Sequence, residues 1–331
     1  MRYYDLTLTP PGSSTPARRW TSHPNGKFDP GALNIEVDAP VGPYGLPMGG
    51  ATVLIHGVSL QDLSQVTNWG IHWKGGKLVE GMYLRLEAGM KAGLPLANPR
   101  QAGVILAGQV IKSYGNWEGT EQDVALIVQP ANFSPERPGN LVLNWQKGMT
   151  LATALRNCLQ IAYPDLPMSV HLSERMTLNY QQVHAAHTLE GLASWVAQFT
   201  RQTFGDEVVI SIQAGQLIVF DSSYETKPKP IVFEDLIGQP AWIDFGQMQA
   251  KFAMRADLML GDTIHMPQGA QSRPGFVLTS SQAWPSAIKQ KTTFAGQFKV
   301  RAVRHIGNFR APDGASWVTV VNALEWGVEQ P

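Results

Sequence analysis

The amino-acid sequence predicts a mainly β protein in which two β-rich units flank a smaller unit that contains helices. Short segments with an apolar residue at every second position dominate both ends of the chain, a period typical of half-buried strands. Stripes with the helical period occur in the middle. The 32 glycines and 23 prolines are spread without a regular period, as in proteins built from many short strands joined by turns.

The first β unit is predicted over residues 32–135. Leu33, Ile35 and Val37 alternate with polar residues, which predicts a strand with one buried face. Further strand segments are residues 53–58, 82–88, 104–110 and 124–128. So many short strands in about one hundred residues favour a small barrel or a sandwich.

Residues 1–31 are predicted to be an extended N-terminal arm, in which residues 1–9 alternate loosely and could form a strand. Prolines and glycines crowd residues 10–31, and few residues there could form a core. Long segments without regular structure are usually functional or disordered. Our hypothesis is that this arm orders against a neighbouring subunit.

An α+β unit is predicted over residues 136–227. Its first helix begins after Thr150, a good N-cap. Cys158, the only cysteine, falls on the apolar stripe of this helix and is interpreted as buried filler and not as a nucleophile. A second helix is predicted over residues 188–203, followed by a hairpin over residues 208–219.

The second β unit is predicted over residues 228–331. Residues 268–292 read as a polar loop, and residues 310–314 as the turn between the last two strands. The strand segments are residues 242–245, 252–254, 263–266, 298–303 and 317–324.

Composition and charge exclude several classes of protein. Charged residues are 16% of the chain, below the usual quarter, and the net charge is zero. No basic run is longer than Arg18 and Arg19, so sequence-specific nucleic-acid binding is not expected. The chain has neither the apolar run of a membrane anchor nor that of a signal peptide. We therefore expect it to fold in the cytosol of the producing cell.

The sequence predicts no catalytic residue, no cofactor and no metal, and hence no enzyme. His184 and His187 form the nearest approach to a metal pair, but they precede a helix and lack a third ligand. The carboxylates that could be imagined as the acid and base of a glycosidase are Glu234, Asp235, Asp257 and Asp262. Solvated turn residues are the more common role for such carboxylates.

Several segments resemble the baseplate hub proteins of contractile-tailed bacteriophages, the Mu-like tail hub family. The similar segments are residues 31–38, 82–96, 103–110, 124–128, 236–242 (Leu-Ile-Gly-Gln-Pro-Ala-Trp), 254–258, 261–264, 303–307 and 316–319. Each segment is short, and it is their order along the chain that resembles the family. Residues 1–31 and 268–292 match nothing in it.

The resemblance implies two tube-type β-barrel domains that flank or enclose the helix-containing domain. It further implies a homotrimer in which the two barrels of each subunit make a ring of six, matching a six-fold tail tube above and a three-fold spike below. The expected partners are the tail tube protein, the central spike protein and other baseplate proteins, with the tape-measure protein as a further candidate. The expected location is the tail baseplate of the virion.

Ten tryptophans are a high count, and tryptophan is enriched where proteins meet. The candidate interface residues are those in turn-rich contexts, namely Trp69, Trp73, Trp117, Trp145 and Trp284. An ordinary core position is the competing interpretation for each. Trp242, Trp317 and Trp326 lie in strand patterns and are predicted to be core.

Three alternatives to the hub remain open on the sequence. The carboxylates and tryptophan-rich loops would suit a tail-associated cell-wall or glycan hydrolase. Exposed tryptophan without catalysis would suit a carbohydrate-binding β protein. A hexameric distal-tail or tube-cap protein would share most features of the hub and differ in its number of subunits.

Overall fold

The computed structural model describes residues 1–43, 45, 50–91, 99–130, 140–244, 246–267, 294 and 296–325. It is mainly β, with a small helical unit in the middle of the chain, as the sequence predicts. The helices are α1 (Leu60–Leu63), α2 (Leu151–Ala162) and α3 (Leu189–Phe204). The strands are β1 (Arg2–Thr9), β2 (Arg18–Thr21), β3 (Asn34–Val41), β4 (Ala51–His56), β5 (His72–Lys74), β6 (Lys77–Val79), β7 (Tyr83–Met90), β8 (Gly103–Glu118), β9 (Glu121–Gln129), β10 (Leu141–Trp145), β11 (Met168–His171), β12 (Gln182–Ala186), β13 (Val209–Gln213), β14 (Gln216–Phe220), β15 (Lys229–Pro230), β16 (Ala241–Asp244), β17 (Gln247–Ala253), β18 (Thr263–Met266), β19 (Gly296–Asn308) and β20 (Trp317–Glu325).

The N-terminal segment belongs to the first β unit: β1 forms where the sequence allows a strand, whereas β2 lies in the stretch that was predicted to be an extended arm. β1 pairs with β2 on one side and with β7 on the other. Tyr4, Leu6 and Leu8 alternate along β1 and are fully buried. Burial of this apolar face against the chain's own core explains why the segment does not need a neighbouring subunit to become ordered.

The middle unit forms as its sequence signals predict. Thr150 and Thr188 cap α2 and α3, and each hydroxyl accepts a hydrogen bond from the backbone N–H three residues later. α3 ends at Phe204 and is capped by Gly205, whose φ of 70° favours glycine. Cys158 is buried on α2, and burial raises the pKa of its thiol to about 11. Three further strands form a sheet in the order β11–β14–β13, and β10 pairs with β12.

The two β units have the same strand order. In the first unit, neighbouring strands run β3–β4–β9–β8–β7, and in the second they run β16–β17–β20–β19–β18. Each unit therefore contains a hairpin, then a strand, then a second hairpin whose last strand pairs with the first hairpin. All of these pairs are antiparallel.

The correspondence extends to the register of individual residues. The register of each long hairpin shifts once, between Val110 and Lys112 in β8 and between Val300 and Ala302 in β19. Such a β-bulge adds one residue to one strand. Aligning the two bulges also aligns the core-facing residues of the other strands: Ala51, Val53 and Ile55 with Met248, Ala250 and Phe252, and Leu84 and Leu86 with Ile264 and Met266. All ten are at most 2% exposed.

The two β units are joined into one sheet of 13 strands. The joint is the antiparallel pairing of β3 with β19. The strand path runs from β16 at one end to β2 at the other, with β15 and β18 branching from β19. The sequence predicts two separate β units, and a shared sheet is a closer connection than that.

Three main apolar cores follow the three predicted segments. One lies inside the first β unit, one inside the helical unit and one inside the second β unit. The helical unit packs on the second β unit through Gln213, whose amide oxygen accepts from the Leu260 backbone N–H at 2.8 Å. Whether the boundaries 32–135, 136–227 and 228–331 separate independently folding domains stays a prediction.

Candidate assembly interface

The joint between the two β units shows how one unit contacts the next. Pairing runs from Val303 opposite Val41 to Asn308 opposite Glu36. On the outer face, the Arg304 guanidinium donates to both carboxylate oxygens of Asp38 at 2.7 and 2.6 Å. A strand edge of one unit is thus completed by a different strand of the other, which makes the contact heterologous.

Phe309 and Trp317, which flank the turn of the β19–β20 hairpin, are buried in the core of the first unit. Phe309 lies edge-on to Tyr4, with ring centroids 4.8 Å apart. The Trp317 indole N–H donates to the Gly89 carbonyl at 3.0 Å, and its side chain is 2% exposed. The Trp317 ring occupies the space that a Cβ on Gly307 would need, since that atom would lie 2.6 Å from the ring. The joint therefore combines backbone pairing between β3 and β19 with two aromatic side chains, Phe309 and Trp317, inserted into the core of the first unit.

The corresponding hairpin of the first unit has an exposed tip. Tyr114 and Trp117 on β8 are 54% and 61% exposed, and every residue from 114 to 118 is exposed. Up to Ser113 the chain covers this edge itself, because the Ile71 N–H donates to the Ile111 carbonyl and the Gly70 N–H to the Ser113 hydroxyl. Beyond Ser113, β9 pairs with one side of β8, and the described residues place no strand on the other side.

A second open edge lies at one end of the strand path. β16 pairs with β17 on one side and ends the path through the described residues. Ile243, in the middle of this short strand, is 38% exposed and lies at a register shift. Edges of this kind carry unpaired backbone groups and are natural sites of association.

The candidate interface tryptophans fall into an exposed and a buried pair in the structure. Trp73 and Trp117 are 72% and 61% exposed and remain candidates. Trp69 and Trp145 are corrected to core residues, at 1% and 0% exposed. Both occupy turn-rich sequence, but each ring packs inward, where apolar burial is favourable. Trp284 lies outside the described residues.

The tryptophans that were predicted to be core lie in or beside the β units. Trp317 is buried, as predicted. Trp242 is half-buried and stacks on Phe294 with ring centroids 4.9 Å apart. Trp326 lies outside the described residues.

Sequence reasoning missed Tyr114 and Ile243. The predicted strand ended at Val110, whereas β8 continues through the bulge to Glu118. Lys112, Tyr114 and Asn116 alternate with smaller residues, which is the signal that could have extended the strand.

Three of the four carboxylates considered for catalysis form ion pairs within the fold. Asp235 and Asp257 both contact the Arg255 guanidinium, at 2.8 and 2.7 Å. Asp262 accepts from the Lys229 ammonium at 2.6 Å. These contacts tie the loops of the second β unit together.

The two histidines considered as a metal pair have other contacts. The His184 ring stacks on Trp195 with centroids 4.2 Å apart, and the His187 Nδ1 lies 3.1 Å from the Asn140 side-chain oxygen. Within the described ranges, no group of three or more histidine, cysteine, aspartate or glutamate side chains is arranged to hold a metal ion. In the same ranges, no helix has the length and apolar character needed to span a membrane.

His305 on β19 should make stability depend on pH. It is buried against Thr319, whose hydroxyl lies 3.0 Å from Nδ1, and burial lowers its pKa from 6.5 to about 4. Above pH 6.5 both folded and unfolded chains hold it neutral. Between pH 6.5 and 4 only the unfolded chain gains the proton, so stability falls by about 3 kcal/mol and this loss stops below pH 4.

We expect His305→Gln to lack this component of the pH dependence. Urea unfolding gives the free energy of unfolding of the wild type and of the variant at each pH between 7 and 4. The difference between the two values should change with pH by the contribution of His305. His187→Gln, at an exposed position, is the control and should follow the wild type. Parallel curves for the wild type and His305→Gln would contradict the assignment.

Comparison with known proteins gives distant structural similarities. No protein-family model matches the chain, and no curated protein matches it. The tail protein from Neisseria meningitidis MC58 is 9% identical, with 99% of this chain and 97% of that chain covered and a TM-score of 0.48. The 43 kDa tail protein of prophage MuSo2 from Shewanella oneidensis is 8% identical, with 98% of each chain covered and a TM-score of 0.49.

A third similar structure is the Francisella PdpA–VgrG complex. It is 5% identical, with 100% of this chain and 59% of that chain covered and a TM-score of 0.49. Two of the three are named as tail proteins, the class that the sequence resembles. With TM-scores below 0.5 and identities below 10%, these similarities assign no family and no activity to the chain.

Proposed function

We propose that this chain is the structural hub of a phage tail baseplate. In this proposal it forms a homotrimer that adapts the six-fold tail tube to the three-fold spike and lines the central channel. The role is structural, without a catalytic residue or cofactor. Its partners are the tail tube protein, the central spike protein and other baseplate proteins, and it resides in the tail of the virion.

The observation that carries the proposal is the duplication inside one chain. Two units with the same strand order and register can occupy equivalent places around a ring. Three chains then supply six units, so one assembly presents six similar surfaces while its true symmetry stays three-fold. That is the requirement for a part between a six-fold and a three-fold partner.

The heterologous contact between the units also supports a ring. A contact that joins two different surfaces leaves one surface of each kind unused, here the β16 edge of the second unit and the β8 edge of the first. Such contacts close into rings when the rotation allows it. Trp73 and Trp117 are the proposed interface tryptophans, because both remain exposed in the single chain. Exposed aromatic side chains are typical of surfaces that partners cover.

The number of subunits tests the proposal. Light scattering coupled to size exclusion, from micromolar concentration upward, should give three times the chain mass of 36.2 kDa. A monomer throughout this range would contradict the hub. Six copies would select the tube-cap alternative instead.

A further inference from the structure

The contact inside the chain predicts the contact between chains. β3 of the first unit completes the outer edge of β19 in the second. By strand order, β16 is the counterpart of β3, and β8 is the counterpart of β19. We propose that β16 of one chain pairs antiparallel with residues 114–118 of β8 in a second copy of the same chain. This rests on the proposed function for the number of copies.

The internal register fixes which residues would lie opposite each other. When the bulges of β8 and β19 are aligned, Asn116 in the first unit takes the position of Ile306 in the second. When the β4–β9 ladder is aligned with the β17–β20 ladder, Ala241 of β16 takes the position of Asp38 of β3. Ile306 pairs with Asp38 in the internal joint. Asn116 therefore lies opposite Ala241, and the preceding residue of β8, Gly115, opposite Trp242.

The exposed apolar residues coincide with the two edges that this register brings together. Tyr114 corresponds to Arg304, and its neighbour across the joint is Ile243, the bulged residue of β16. Tyr114 and Ile243 are exposed in the single chain, at 54% and 38%. Tyr114 thus stands where Arg304 stands in the internal joint, and Ile243 where Pro40 stands opposite it, so an apolar pair takes this level of the ladder. Burying such side chains favours association.

The hairpin tips make a second, independent comparison. Gly307 and Trp317 are directly paired within the β19–β20 hairpin, and Trp117 and Gln122 are the corresponding pair of the β8–β9 hairpin, with the tryptophan on the other strand. Both levels carry one tryptophan. Trp317 is 2% exposed and fills the core of the other β unit, whereas Trp117 is 61% exposed. In the single chain, Trp117 therefore has no core to fill.

A cysteine pair tests the register. Both Asn116 and Ala241 are exposed, so Asn116→Cys with Ala241→Cys should fold. Directly opposite residues of antiparallel strands have Cα atoms about 4.5–5.5 Å apart, within the range for a disulfide. Oxidation with copper phenanthroline should give covalent dimers and trimers on a non-reducing gel, and the series should stop at three chains.

The matched control moves one cysteine along the same strand. Lys112→Cys with Ala241→Cys displaces it by four residues, about 13 Å, which is too far for a disulfide. Equal cross-linking of both pairs, or none by Asn116→Cys with Ala241→Cys in a protein that light scattering shows to be a trimer, would overturn the inferred pairing and leave the hub proposal standing. A monomer that does not cross-link would overturn both.

Discussion

Replacing Arg255 with alanine is expected to lower the free energy of unfolding by about 3–5 kcal/mol. The Arg255 side chain is 3% exposed, and its guanidinium contacts the carboxylate of Asp235, which is 9% exposed. Burial disfavours the charge on Arg255, but the hydrogen bonds and charges of Asp257 and Asp235 outweigh this and raise its pKa. Without Arg255, the Asp235 carboxylate would remain buried without its counter-charge.

The position of Arg255 explains why the effect should reach beyond one loop. Its cluster includes Gln101 of the first β unit, and the neighbouring Ala256 N–H donates to the Gln101 carbonyl at 2.7 Å. Removing the cation therefore weakens a contact between both β units. Breaking a buried ion pair costs far more than breaking an exposed one.

Urea unfolding followed by tryptophan fluorescence measures the change, with Arg85→Ala as the matched control. Arg85 contacts Glu87 at 2.6 Å, but its side chain is 49% exposed. Its loss should cost less than about 1 kcal/mol. A similar cost for both variants would show that the buried position of Arg255 adds nothing.

Replacing Trp317 with alanine is expected to cost about 3–5 kcal/mol, the usual range for a large aromatic side chain removed from a core. This tryptophan comes from the second β unit but fills space inside the first. The variant also loses the hydrogen bond to the Gly89 carbonyl. The joint between the units should therefore open at a lower urea concentration than the rest of the protein.

Ile161→Ala is the control for this experiment, because that side chain on α2 is 82% exposed and lies outside the proposed interface. Its effect should stay within about 0.5 kcal/mol. Circular dichroism beside fluorescence tests whether Trp317→Ala unfolds in more than one step. A Trp317→Ala protein as stable as the control would mean that the Trp317 side chain does not hold the two β units together.

Local signals predicted the elements better than their partners. Thr150 and Thr188 specify where α2 and α3 begin, because a cap acts within one turn. The alternation in β3 identifies its buried face but carries no information about which strand lies beside it. Its partner, β19, lies more than 250 residues away along the chain, and pairing over that separation depends on the whole fold.

At the candidate interface, too, the sequence predicted local backbone structure but not which side chains are exposed. Tryptophan in turn-rich sequence was the signal for Trp69 and Trp117 alike, yet one is buried and the other exposed. The turn signal reports local backbone and not the direction of the ring. Local patterns also did not reveal the duplication of the β units, which the family resemblance alone implied, because matching positions such as Val53 and Ala250 share burial and register but not residue type.

The pairing of β3 with β19 also imposes an order on synthesis at the ribosome. Residues 34–41 emerge early, but their partner, residues 303–308, is translated more than 250 residues later. Until then the β3 edge is an unpaired template that other nascent chains could join. Because the early strands must wait for a late one, the rate of translation and the local concentration of ribosomes making this chain should influence how much of it escapes aggregation.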